Sequence, residues 1–228
     1  MMQHARSLFP VLSAALLTAT LAGAQQQQPS LTKPSAAIPA HNIEIHFDPQ
    51  ATQVRFKVVS VLRDVRGSFQ FKGGALAIDP DSTLAQGELL VDATTGRTGS
   101  AAHDKEMQGE VLESQRYPSI FFHAEHLRGQ VPKLDGSSDV IAEGTLNIHG
   151  ADHPIQMKVH LVRVGNVLSV TTHFSIPYVE WGMKSPHRTL LHLSKIVQVD
   201  VIAKGTVRTV ATIHSDVQSN DSDEEAPH

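Results

Sequence analysis

Apolar and polar side chains alternate with a period of two through most of this chain, and that period restricts it to sheet. Residues 54–81, VRFKVVSVLRDVRGSFQFKGGALAIDPD, show it most densely. Val54, Phe56 and Val58 alternate with Arg55 and Lys57, and Phe69 and Phe71 alternate with Ser68, Gln70 and Lys72. Leu76 and Ile78 alternate with Ala75, Ala77 and Asp79. Successive strand residues point to opposite faces, so each run offers one apolar face and one polar or small face. Gly67, the pair Gly73-Gly74 and the Asp79-Pro80-Asp81 segment read as the turns that end these short strands. The functional question is what the apolar face meets: more protein, or a guest in a cavity.

The rhythm continues down the chain. Further strands are expected over residues 87–93, 119–126, 140–149, 155–164, 167–176 and 196–207, with 41–47 opening the first. Residues 100–115, SAAHDKEMQGEVLESQ, break the pattern. His103, Met107 and Val111 fall four apart beside Leu112, which is one face of a short helix with Ser100 as its N-cap and Gly109 as a weak point. Many short strands, one helical insertion and no βαβ alternation predict an all-β domain over residues 41–209. Periodicity leaves antiparallel barrel and sandwich both open.

The ends differ in composition. Residues 1–24, MMQHARSLFPVLSAALLTATLAGA, carry one Arg, an apolar stretch and Ala22-Gly23-Ala24 as a small-residue cleavage site. They read as a secretory signal peptide cut near Ala24, too short and too interrupted for a membrane anchor, so the mature chain is expected in a bacterial periplasm or secreted, with no membrane span. Residues 25–40 are a glutamine- and proline-rich linker, and residues 210–228 a polar, acidic tail, both expected to be disordered. The 19 basic and 23 acidic side chains form no basic stripe, which excludes nucleic acid as a partner class. The absence of cysteine excludes disulfides, thiolate metal sites and a thiol nucleophile.

Several phrases together resemble the YceI-like family of exported bacterial proteins. They are Val65-Arg66-Gly67-Ser68-Phe69; residues 74–79 as G-x-L-x-I-D; residues 95–107, TGRTGSAAHDKEM; residues 117–122 as Y-P-x-I-x-F; and residues 143–150 as x-G-x-L-x-I-x-G. The likeness runs from about Ile43 to Val207. Residues 176–184, IPYVEWGMK, look like a subgroup of the family and not its best-known lipid binders. The resemblance implies an eight-stranded antiparallel lipocalin-like barrel with one short helical insertion. It also implies a polyisoprenoid or other long-chain lipid as guest, and no catalysis.

A barrel of that size either fills its interior or holds one small ligand. The residues alone leave a packed core and a cavity equally open; the resemblance favours the cavity. Strand alternation then nominates Phe56, Val58, Phe69, Phe71, Phe122, Leu146 and Phe174 as lumen residues. The helix would be a lid through His103 and Met107, with methionine a soft packing partner for a guest. Trp181, the only tryptophan, lies in a long connection that could cover a barrel mouth, with the guest's head group near His103, Arg97 or Trp181.

Other chemistries have weaker support. The 14 histidines include close pairs at His123/His126, His149/His153 and His187/His192, but no H-x-H or H-E-x-x-H. His123 and His126 would face opposite sides of a regular strand, so chelation there needs a bulge. His103 with Asp104, and Ser119 or Ser194, form no recognisable nucleophile motif. The bland alternative is that Asp104 anchors the junction into the helix. The expectation is therefore a lipid-binding carrier or sequestering module without cofactor, metal or catalytic residues, its partner a hydrophobic small molecule. A filled-barrel envelope interaction or stress protein and a histidine-based metal-dependent hydrolase are the alternatives. A homodimer through outer strand faces stays open.

Overall fold

The computed structural model describes residues 43–61, 63–79, 82–186 and 193–209. The signal peptide, the linker, the acidic tail and the His187/His192 pair lie outside the described residues. The strands are β1 Ile43–Phe47, β2 Gln53–Ser60, β3 Val65–Ile78, β4 Ala85–Arg97, β5 Ser119–Arg128, β6 Gly136–Ile148, β7 Ala151–Val164, β8 Val167–Ile176 and β9 Leu193–Thr209. Between β4 and β5 runs helix α1, Ala101–Glu106, continued by a π turn over Met107–Val111.

Every neighbouring pair is antiparallel, and the sheet closes on itself. Both β1 and β2 pair with β3 on one side and β9 on the other, so they lie end to end as one stave. Nine strand segments thus make a closed barrel of eight staves. The break in the first stave has a local cause. Pro49 has no N–H to give a ladder. Around it Asp48 accepts from Gln50 N at 2.8 Å, and the Thr52 hydroxyl donates to the Asp48 carbonyl at 2.7 Å. Asp48 N still donates to Lys204 O at 2.8 Å, which keeps the bulge fastened to β9.

One expectation is corrected. Gly67 and Gly73-Gly74 end no strand; β3 runs through all of them. Near Gly73 the register of β3 on β4 slips, between Phe71 and Gly73. That bulge changes the phase of alternation, so odd-numbered Phe69 and Phe71 and even-numbered Leu76 and Ile78 all face inward. Gly74 is at φ 149°, and a Cβ there would stand 2.1 Å from the Glu88 carbonyl oxygen. Glycine at this site serves close approach, where a turn was expected.

The turns sort into two ends. One carries α1, the β2–β3 hairpin, the β6–β7 turn and residues 177–186. At the other, Ile43, Ala85, Val131, Val140 and Val207 are buried and close the barrel. Among the described residues no helix is long and apolar enough to cross a membrane.

Candidate functional site

The barrel is not packed solid. An internal cavity of about 300 Å³ occupies its centre. Its wall is built from the inward positions of every stave, including Val54 and Phe56 of β2, Leu89 and Val91 of β4, Met157 and Val159 of β7, and Val199 and Val201 of β9. An apolar lining of this kind favours apolar guests, and the volume falls at the lower end of the range for small-molecule pockets. Left empty, such a space leaves its lining without the contacts a filled core would give.

Nine of the ten nominated residues lie on this wall: Phe56, Val58, Phe69, Phe71, His103, Met107, Phe122, Leu146 and Phe174. Phe56, Phe71 and Leu146 are buried, whereas Phe69, Phe122 and Phe174 remain partly accessible although they point inward. Phe56 and Phe69 meet ring to ring at 5.2 Å.

Trp181 is not on the wall. Its indole lies flat on the His153 imidazole, 4.1 Å between centroids and 2° between planes. His153 occupies an inward-phase position at the rim end of β7, opposite Leu146. Its Nε2 is buried without a hydrogen-bond partner. Burial holds this imidazole below the ordinary histidine range, with Asp152 opposing the shift. The stack therefore joins a neutral imidazole to an indole and fastens residues 177–186 to β7.

The helical lid is positioned by its junction. Ser100 caps α1, its hydroxyl accepting from His103 N at 3.5 Å. Asp104 turns back, and its carboxylate accepts from Thr98 N at 2.6 Å and from the Thr98 hydroxyl at 2.7 Å. Asp104 thus anchors the strand-to-helix junction while its neighbour His103 faces the cavity. Gln108 Nε2 donates to the carbonyls of Thr94 at 2.8 Å and Gly96 at 3.0 Å, tying the lid down on β4. Gly96 makes room for it: a Cβ there would stand 2.6 Å from both Met107 Cε and Phe69 Cε1.

Sequence reasoning missed Thr98, Glu106, Tyr178 and Met183 on the wall. The last two sit in an irregular segment that has no alternation to read. The polar wall residues Thr98, His103 and Glu106 gather at the lid. The Thr172 hydroxyl, deeper in, is already spent on the Lys158 carbonyl at 2.8 Å. No lysine or arginine lines the cavity among the described residues.

A polar buckle closes the rim beside the lid. Glu113 meets His149 at 3.1 Å and Lys184 at 3.9 Å. Tyr117 packs on His149 at 4.7 Å and over Gly150, where a Cβ would come within 2.4 Å of its ring. Arg97 is exposed and bonds the Gly96 carbonyl at 2.8 Å. The histidine pair on β5 is rearranged by a bulge between Ala124 and His126. Leu127 becomes the inward residue and His126 joins His123 on the outer side, where His123 meets Glu88 at 3.3 Å. Among the described residues, no three histidine, aspartate or glutamate side chains are grouped so as to hold a metal ion.

Comparison with known proteins follows the same lines. The YceI-like domain model matches residues 46–208. BcnA of Burkholderia cenocepacia has a TM-score of 0.60 at 15% identity, covering 70% of this chain and 99% of that one. A polyisoprenoid binding domain from Saccharophagus degradans, implicated in plant cell wall breakdown, has 0.56 at 16% identity, covering 74% and 99%. At such identities these likenesses speak for the fold. No curated protein sequence matches the chain.

Proposed function

We propose, from the premise that this chain belongs to the YceI-like family, that its barrel is a carrier or sequestering module for one long-chain amphiphile of polyisoprenoid or fatty-acyl type. The observation that carries this reading is the cavity, about 300 Å³ with an almost wholly apolar wall. Each methylene of a guest buried there contributes ~0.8 kcal/mol, so a chain binds firmly with few polar contacts. The guest's chain lies along Phe56, Phe69, Phe71, Phe122 and Phe174, and its head group lies under the lid, within reach of His103. The related domain described as polyisoprenoid binding supports the guest class. The protein performs no chemistry on its guest. It works outside the cytoplasm of a bacterium, a placement supported by the signal-like pattern of residues 1–24.

Native mass spectrometry of protein purified in mild conditions tests this. The expected result is a mass increment that organic extraction releases as a prenyl or acyl lipid. Val170, on the cavity wall, provides the control: Val170→Phe fills part of the lumen and is expected to lower guest occupancy several-fold while the fold persists. Apo protein in every preparation, together with no uptake of an added prenol or fatty acid, would sink the reading.

A further inference from the structure

We infer that the β2–β3 hairpin, with the start of β9, is the face by which this protein docks on an anionic lipid bilayer. The inward side of this tip belongs to the cavity, since Val58, Val65 and Leu193 all line it. Its outward side is apolar too. Val59 is 42% exposed, Val61 80% and Ile196 46%. Val59 and Ile196 fall in the same stretch of the β2–β9 ladder, between the pairs Val58–Val197 and Ser60–Leu193. Further down the same two strands, the outward positions Arg55, Lys57, Gln198 and Asp200 are polar. The outer face therefore turns apolar where the strands reach the lidded end.

Charge selects the occupant. The chain as a whole is acidic, 19 basic against 23 acidic side chains, yet residues 55–66 carry four basic and one acidic. The acidic one, Asp64, is already closed on Arg66 at 3.2 Å. Lys57, Arg63 and the exposed Lys195 of β9 put positive charge on the strands that carry the apolar tip, while the acids of the neighbouring α1 are turned elsewhere, Asp104 onto Thr98 and Glu106 to the cavity wall. Apolar side chains for the acyl boundary and cations for anionic head groups are the two components of interfacial binding. Ser60 and Arg63 are tied to each other: the Ser60 hydroxyl donates to the Arg63 carbonyl at 2.8 Å and accepts from Arg63 N at 3.1 Å.

A second exposed apolar patch, Leu134 with Val164 and Val167, sits at the opposite end. Its charges are balanced: Lys133 and Arg163 stand beside Asp135 and Asp139, with Arg163 held by the carbonyls of Gly165 and Pro132, and the patch lies over the closed end of the barrel. The hairpin, by contrast, adjoins the lumen on its inner side. Docking there would bring the cavity to the bilayer from which a guest is drawn. On this point the inference rests on the carrier reading.

Co-sedimentation of the full chain with phosphatidylcholine vesicles, with and without phosphatidylglycerol, tests it. Binding is expected to the anionic vesicles, at least about tenfold above the zwitterionic ones, and to weaken at high salt. Val61→Asp and the pair Lys57→Glu/Arg63→Glu are each expected to lower it roughly tenfold, with circular dichroism and guest content unchanged. Equal binding to both vesicles, no binding, or variants that bind like the parent would overturn the proposal. So would a dimer in solution, without vesicles, that Val61→Asp dissolves, because the tip would then be a self-interface. The two readings fail separately: protein that docks but carries no lipid counts against the carrier alone, and lipid-loaded protein that ignores anionic vesicles counts against docking alone.

Discussion

Several of the family's sequence phrases turn out to be places where two segments of the chain approach too closely for a side chain. At Gly67 a Cβ would stand 2.4 Å from the Phe56 ring and 2.5 Å from the Arg97 carbonyl. Gly150 gives the same room to Tyr117, so the phrases over residues 117–122 and 143–150 meet in space. The inward phenylalanines were legible because alternation assigns a face to each strand residue. Trp181 was not, since residues 177–186 have no period. Its partner His153 yields a prediction. Burial lowers the folded imidazole's pKa below its ordinary 6.5, so on acidification the unfolded chain takes the proton first. The contribution of neutral His153 to stability is full above the unfolded value and is lost as pH falls toward the folded one. His153→Phe keeps the stack on Trp181 and removes the titration. Thermal unfolding between about pH 8 and pH 5 is expected to show a smaller loss of Tm in the variant than in the parent. Equal losses would mean the imidazole is already solvated.

Among the elements, β3 shows where a sequence pattern misleads. Paired glycines serve turns and bulges alike, so two short strands were expected where one long strand with a phase slip is found. The slip itself was present in the letters, since the inward residues change from odd to even between Phe71 and Leu76. The helical insertion was legible from His103, Met107, Val111 and Leu112, and from Ser100 as cap. Its conversion into a π turn was not, because the i→i+5 bond from Leu112 N to Met107 O, 2.8 Å, depends on how the lid seats on β4. The seat at Gly96 is testable. Gly96→Val places methyls where Met107 and Phe69 now meet and is expected to lift the lid. Guest release, followed by transfer to acceptor vesicles, should quicken several-fold, with a stability loss of about 1–3 kcal/mol from overpacking. Unchanged release with the same loss would assign the lid a packing role only.

For the whole molecule, the unfilled centre couples stability to occupancy. A guest that binds only the folded barrel, at a free concentration of 100 times its Kd, adds about 2.7 kcal/mol. For a domain of this size that corresponds to a rise in Tm of roughly 5–10 °C. Calorimetry with and without an added prenol or fatty acid measures it, and a flat response across both classes would argue that the cavity does not admit them. Closure of the barrel was open to the sequence only through resemblance. Strand faces are written locally, whereas the pairing of β1 and β2 with β9 joins the two extremes of the domain.

That last pairing also sets an order of events. The first stave pairs early with β3, but closure waits for the last strand, because β9 supplies the other side of both β1 and β2. A chain emerging N-terminus first, from a ribosome or through a membrane pore, has no interior until its final strand arrives. Enclosure of a guest on all sides therefore belongs to the completed molecule, in whichever compartment it completes.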